Sequence, residues 1–209
     1  MKKIYYFLVA IMAVSCSETS TDNVSKVTNY PLMTLNGERT VVLNQGDTYT
    51  ELGAVSMAGT EELPVTITGT VNTSTPNVYK LTYTSVNVDG FSATLTRAIV
   101  VLSTAPSAID LQGTFARNGT NLNNVTKLGD RKYICDNATG FTNGSPDNLT
   151  LIFYNVDDTK IYAPYQENAS STGISAESNV GTIADKDHFS WVIYASAVFG
   201  TATRNFTRI

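Results

Sequence analysis

From residue 28 onward, apolar and polar positions alternate in short runs broken by turn residues, which is the pattern of half-buried strands. Residues 39–43 (RTVVL) end at the turn sequence Asn44-Gln45-Gly46-Asp47, and residues 64–69 (PVTITG) form a short run closed by glycine. In residues 78–84, Tyr79, Leu81 and Tyr83 share one face while Lys80, Thr82 and Thr84 take the other. Asp89-Gly90 is a tight-turn dipeptide, and residues 94–101 (TLTRAIVV) complete the set. No helical period competes across 28–103. Ala105-Pro106-Ser107 then punctuates the chain. Beyond it, strand-like runs at 113–117, 131–135, 149–154, 160–163, 189–194 and 204–209 are separated by Asn/Gly/Asp/Ser loops. The expected fold class is all-β: an N-terminal Ig-like β-sandwich over 28–103, then a second antiparallel β-sandwich or partly open barrel over 108–209. Because the last run reaches the C-terminus, Phe206 and Ile209 are expected to be packed.

The N-terminus breaks this pattern. Lys2 and Lys3 precede an apolar stretch from Ile4 to Val14, the layout of a signal segment and too short to span a bilayer comfortably. Val14-Ser15-Cys16 resembles the lipobox of bacterial lipoproteins, with Ala13 where leucine is usual, as in the looser boxes of Bacteroides-like bacteria. The resemblance implies a signal peptide at 1–16, lipid on Cys16, and attachment to the outer membrane through that lipid, with the protein facing the cell surface or, alternatively, the periplasm. Residues 17–27 begin with a polar run and read as a flexible tether. With Cys16 acylated, the second of the two cysteines, Cys135, has no disulfide partner and reads as a small core residue.

Several spaced anchors in the first region carry a second resemblance. They are Pro31 to Gly37, Leu43 to Tyr49, Leu52-Gly53-Ala54, residues 78–83 (VYKLTY) and residues 93–97 (ATLTR). Together they resemble the bacterial Ig-like domain first noted in a pesticidal crystal protein, with Glu51 in place of the usual Asp and Asn77 in place of a Gly. What this implies is a spacer or adhesion-type sandwich. The whole arrangement, with a β-domain opening on Gly113-Thr114-Phe115 and closing on residues 206–209 (FTRI), is similar to gut-Bacteroides lipoproteins. Their second domain is uncharacterised, and they accompany starch-utilisation-like glycan uptake systems. That likeness implies polysaccharide or outer-membrane uptake proteins as partners.

Composition narrows the function classes. Charged residues make up 15% of the 209 and the formal net charge is -4, with no clustered Lys/Arg surface, so nucleic acid is not an expected partner. No Gly-x-Ser-x-Gly elbow, phosphate-binding glycine loop or His-Glu-x-x-His motif is present, and the expectation is a non-enzymatic protein without cofactors. Paired carboxylates are a tertiary property; Glu61, Glu62, Glu167 and Glu177 are acidic candidates only. Asp185, Asp187 and His188 cluster, but the simplest reading is a solvated turn rather than a metal site.

For a glycan, aromatic rings against the apolar sugar face are the residues to find, with amides and carboxylates reading the hydroxyls. The candidates are Trp191, Tyr162, Tyr165 and Phe141. Tyr162 and Tyr165 flank Ala163-Pro164 as a loop-edge pair, and Phe141 lies in an Asn/Gly-rich loop. Alternation puts Trp191 with Phe189 and Ile193, and Tyr194 on the opposite face, so a core position for Trp191 stands beside the ligand reading. The leading expectation is a non-catalytic surface lipoprotein accessory to glycan uptake. The alternative is a structural or adhesion lipoprotein with no glycan ligand.

Overall fold

In the computed structural model of the chain, which describes residues 27–195 and 198–209, the regular elements are all strands. Residues 1–26, with the expected signal segment and Cys16, lie outside the described residues.

The N-terminal half contains β1 (Leu32–Leu35), β2 (Thr40–Asn44), β3 (Ala54–Ala58), β4 (Glu61–Leu63), β5 (Thr66–Thr68), β6 (Asn77–Val86) and β7 (Ser92–Leu102). They form two sheets, β1-β3-β4 and β2-β7-β6-β5. The ladders are antiparallel except β2 against β7, which run parallel with Thr40 opposite Ala98. Met33 from one sheet meets Leu81, Tyr83, Ile99 and Val101 from the other in the core between them. The alternation of β6 holds: Leu81 and Tyr83 point inward, Lys80 and Thr82 outward. In β7 alternation fails after Thr96, because Arg97 to Leu102 are all buried. Ile99 and Val101 enter the sandwich core, while Ala98, Val100 and Leu102 pack outward against Val156 and Tyr162 of the C-terminal half. From Ala98 to Leu102 the strand is covered on both faces, which is why these residues read as a continuous apolar run.

Under the sandwich lies a buried polar network. Arg97, 1% exposed, bonds Glu51 at 2.5 Å and donates to the carbonyls of Asn36 and Glu38. Glu51 also accepts from the hydroxyls of Tyr49 and Tyr83 and from the Gly53 backbone N–H. The spaced anchors of the Ig-like pattern thus converge on one carboxylate.

The C-terminal half adds β8 (Gly113–Arg117), β9 (Asn121–Gly129), β10 (Lys132–Cys135), β11 (Leu151–Asn155), β12 (Lys160–Tyr162), β13 (Glu177–Ser178), β14 (Gly181–Asp185), β15 (His188–Trp191), β16 (Ile193–Tyr194) and β17 (Arg204–Arg208). Eight of them close a barrel in the order β10-β11-β12-β14-β15-β17-β8-β9, and β13 pairs with β16 separately. Of the two architectures expected for this half, a sandwich or a partly open barrel, the outcome is a fully closed barrel. The reason is β17, which pairs with β15 through Phe206 opposite Phe189 and with β8 through Thr207 opposite Ala116, leaving neither neighbour with a free edge. Arg208 fastens the closure, donating to Asp187 and to the carbonyls of Asp110 and Lys186.

Aromatic side chains fill the barrel. Phe115, Tyr133, Phe153, Phe189, Trp191 and Phe206 are buried, with edge and stacked ring contacts such as Phe115–Phe189 at 4.9 Å and Phe189–Phe206 at 5.0 Å. Eight strands give an interior just wide enough for side chains, and here they occupy it. Cys135 belongs to this core, and burial pushes its thiol up to about 12, so it stays protonated and unreactive at neutral pH. Phe206 is packed as expected. Ile209 is not: it is 72% exposed, and only its backbone N–H is held, by the Thr114 carbonyl. One residue past the last ladder, its side chain has no facing strand. Ile209→Ala is therefore expected to change stability by less than about 0.5 kcal/mol in a denaturant titration.

The connector between the halves is tied to the barrel. Ser107 Oγ and the Ala108 N–H both donate to Asp158, at 2.6 and 2.8 Å. Arg131, buried beneath them, bonds Asp158 and the Ala105 carbonyl, each at 2.9 Å.

Candidate functional site

Where the outward face of the β2-β7-β6-β5 sheet meets the barrel, the apolar contact of Val100 and Leu102 gives way to polar residues. A cleft of about 150 Å³ opens there, lined by Arg39, Lys80, Thr82 and Thr96 from the N-terminal half and by Tyr162, Tyr165 and Glu177 from the barrel. Arg39, Tyr165 and Glu177 also border a broader depression of about 440 Å³ whose far wall includes Tyr194 and Thr201. The larger volume lies within the roughly 300–1,000 Å³ of small-molecule sites.

Strand geometry supplies these side chains. Lys80 and Thr82 are the outward residues of β6, and Thr96 is the last outward residue of β7 before its apolar run. Arg39 immediately precedes β2. Glu177 and Tyr194 face each other across the short β13–β16 ladder, which sets a carboxylate beside an exposed ring.

The two tyrosines of the loop-edge pair hold cations. The Arg39 guanidinium lies 3.7 Å from the centre of the Tyr165 ring, and the Lys80 ammonium lies 5.8 Å from the centre of the Tyr162 ring. Among the described residues neither cation forms an ion pair, and no carbonyl or carboxylate accepts a bond from the Arg39 side chain. The Tyr162 hydroxyl is buried and lacks a hydrogen-bond partner. Burial first, and then the nearby Glu177 charge, push its pKa well above the usual phenol range. Tyr162→Phe is expected to leave stability unchanged or raise it by up to about 1 kcal/mol, since it removes an unsatisfied buried hydroxyl. A loss larger than about 1 kcal/mol in chemical denaturation would show that the hydroxyl has a partner.

The four rings proposed from sequence fall in different places. Trp191 is a correction: at 1% exposure, with its indole N–H donating to the Ala138 carbonyl at 2.8 Å, it belongs to the barrel core and cannot stack on a ligand. Its partners on the same strand face, Phe189 and Ile193, are core residues too. Tyr162 is a second correction, because its ring is fully buried against Val100 and its neighbours. Tyr165 is half-buried beneath Arg39 and does line the cleft. Phe141 is 41% exposed and packs edge-on to Phe199 at 5.6 Å; it lines neither the cleft nor the depression. Tyr194, 46% exposed, was not proposed, although its place on the strand face opposite Trp191 pointed outward. Arg39 carried no such signal, since its contact crosses between the two halves.

Other clusters offer less. A depression of about 340 Å³ lined by Asn124, Asp136, Asn137, Asn143 and Asn148 has amides but no aromatic ring. Asp185 accepts from the Asp187 N–H and pairs with His188 at 2.9 Å in the β14–β15 turn. Among the described residues no three His, Cys, Asp or Glu side chains gather as metal ligands would.

Comparison with known proteins follows the fold. Residues 33–101 match the family model described as bacterial surface protein, Ig-like domain, to which the N-terminal Ig-like sandwich is similar. Among curated proteins, none matches the chain. The crystal structure of the lipoprotein BT2262 from Bacteroides thetaiotaomicron is similar at 19% identity and a TM-score of 0.37, over 85% of this chain and 98% of that one. A structure of CBM51-2 in complex with GlcNAc and INT domains from Clostridium perfringens ZmpB is similar at 10% identity and a TM-score of 0.31, over 85% of this chain and 43% of that one. At these scores the two likenesses carry no weight for function.

Proposed function

We propose that the protein is a non-catalytic lipoprotein of the bacterial cell surface, lipidated at Cys16 and anchored in the outer membrane, that binds glycan at the junction of its two halves as an accessory to uptake. The observation that carries this reading is the depression shared by Tyr165, Tyr194, Arg39 and Glu177, set against a barrel whose interior is already filled by its own side chains. A ligand would therefore be met on the outside, and this is where an exposed ring, a carboxylate and two cations without ion pairs among the described residues come together. Glycoside hydrolysis by paired carboxylates needs two of them across one cleft, roughly 5–9.5 Å apart, and Glu177 is the carboxylate lining this one. The surface Ig-like family matched by residues 33–101 supports display outside the cell.

Affinity electrophoresis of the full chain in detergent, through gels containing plant and host polysaccharides, tests the reading. Retardation by one of them, lost in Tyr194→Ala and weakened in Tyr165→Ala, is the expected result. Retardation by none would sink it. The burial of Trp191 and Tyr162 favours the second reading, a structural or adhesion protein with no glycan ligand, which such a negative result would leave standing.

A further inference from the structure

Among the described residues, Arg39 is held by a cation–ring contact rather than by side-chain hydrogen bonds. Its guanidinium carbon lies 3.7 Å from the centre of the Tyr165 ring, so the position of the side chain is restrained while its N–H groups remain unused among the described residues. A planar fork held in place with all its donors free matches the two oxygens of a carboxylate. Lys80, from β6 of the same sheet, adds a second positive charge to the cleft that forms no ion pair among the described residues. Glu177 stands in the same wall with the opposite sign. A simple anion would meet repulsion from it, whereas a ligand bearing both an acid group and hydroxyls could direct the acid to Arg39 and Lys80 and donate a hydroxyl to Glu177.

From this arrangement we propose that the cleft recognises a carboxylated sugar, a uronic-acid residue of a glycan, with Arg39 as the residue that selects the acid. The proposal rests on the glycan-binding reading above and deepens it. Selectivity follows from charge and geometry together. Arg39 sets the carboxylate direction, Lys80 adds attraction, and Glu177 penalises an anion that brings no hydroxyl.

The test uses the full chain in detergent, with oligosaccharides of galacturonate, glucuronate and mannuronate, and the same oligosaccharides after reduction of their carboxyl groups to alcohols. Binding is read by calorimetry. The expected result is that one acidic oligosaccharide binds at least about tenfold more tightly than its reduced form, the loss of a charge-assisted contact being of that order. Arg39→Gln should erase the difference, Arg39→Lys should restore little of it, and Lys80→Gln should reduce it by less. Arg39 and Lys80 are exposed, so unchanged thermal unfolding of these variants would confirm intact folds. Equal affinity for acidic and reduced forms would overturn the uronate proposal while sparing glycan binding. Binding of neither form, with no retardation by any polysaccharide, would remove both. Inorganic sulfate competing as well as the uronate would reveal a bare anion site and also overturn the proposal.

Discussion

Trp191→Ala is expected to destabilise the protein by about 3–5 kcal/mol, enough to consume much of the roughly 5–15 kcal/mol that holds an ordinary domain together. The indole is buried among Phe153, Phe189 and Phe206, with ring centres 5.3, 5.3 and 6.3 Å away, and its N–H satisfies the Ala138 carbonyl. Truncation leaves a cavity at the centre of the barrel and strips the carbonyl of its donor, and neighbouring strands locked in a closed ladder can collapse into the gap only in part. Urea titration followed by circular dichroism measures the loss. A change under about 1 kcal/mol would contradict a core tryptophan. The experiment also separates packing from recognition, because a ring that met only ligand would leave the midpoint where it was.

Arg97→Met should cost a comparable amount, about 3–5 kcal/mol, although the two side chains are similar in length. The guanidinium is the partner of Glu51, and removing it strands a partly buried carboxylate and leaves the carbonyls of Asn36 and Glu38 without their donor. The same network makes the Ig-like domain acid-sensitive. Burial works against ionisation of Glu51, but bonds from Tyr49, Tyr83 and Gly53, with the Arg97 charge, outweigh it and hold the carboxyl below its ordinary value of 4.5. The folded state therefore binds fewer protons than the unfolded one. The Glu51 contribution is intact above about pH 4.5 and fades as pH falls through the lower folded value. Glu51→Gln should be less stable than the parent at pH 7, with the gap narrowing toward pH 3. A gap that stays constant over this range would rule the network out as the origin of acid sensitivity.

Much of this fold was legible in the chain because strands announce themselves locally. The faces of β6 follow directly from its alternation, and in residues 189–194 alternation sets Trp191 and Tyr194 on opposite faces without saying which face is the core. Barrel closure was not legible, since the β17–β8 ladder joins the end of the domain to its beginning and no local pattern encodes that pairing. The site was legible only in fragments. Tyr165 and Glu177 were visible as residue types, but Tyr162 and Tyr165 read as a free platform because nothing in their neighbourhood announced Arg39 and Lys80. The overlooked signal was the loss of alternation in residues 98–102 (AIVVL), which marks a strand covered on both sides and hence a second layer packed against the sandwich.

That doubly covered strand limits modularity. An Ig-like domain joined end to end can be transplanted between proteins as a bead on a string, with only its termini to match. Here Ala98, Val100 and Leu102 are as much part of the barrel's outer wall as of their own sheet, beside a connector pinned through Arg131 and Asp158. A chimera carrying a foreign Ig-like domain would uncover Val156 and Tyr162 and dismantle one wall of the cleft, so the two halves are best swapped and engineered as one piece.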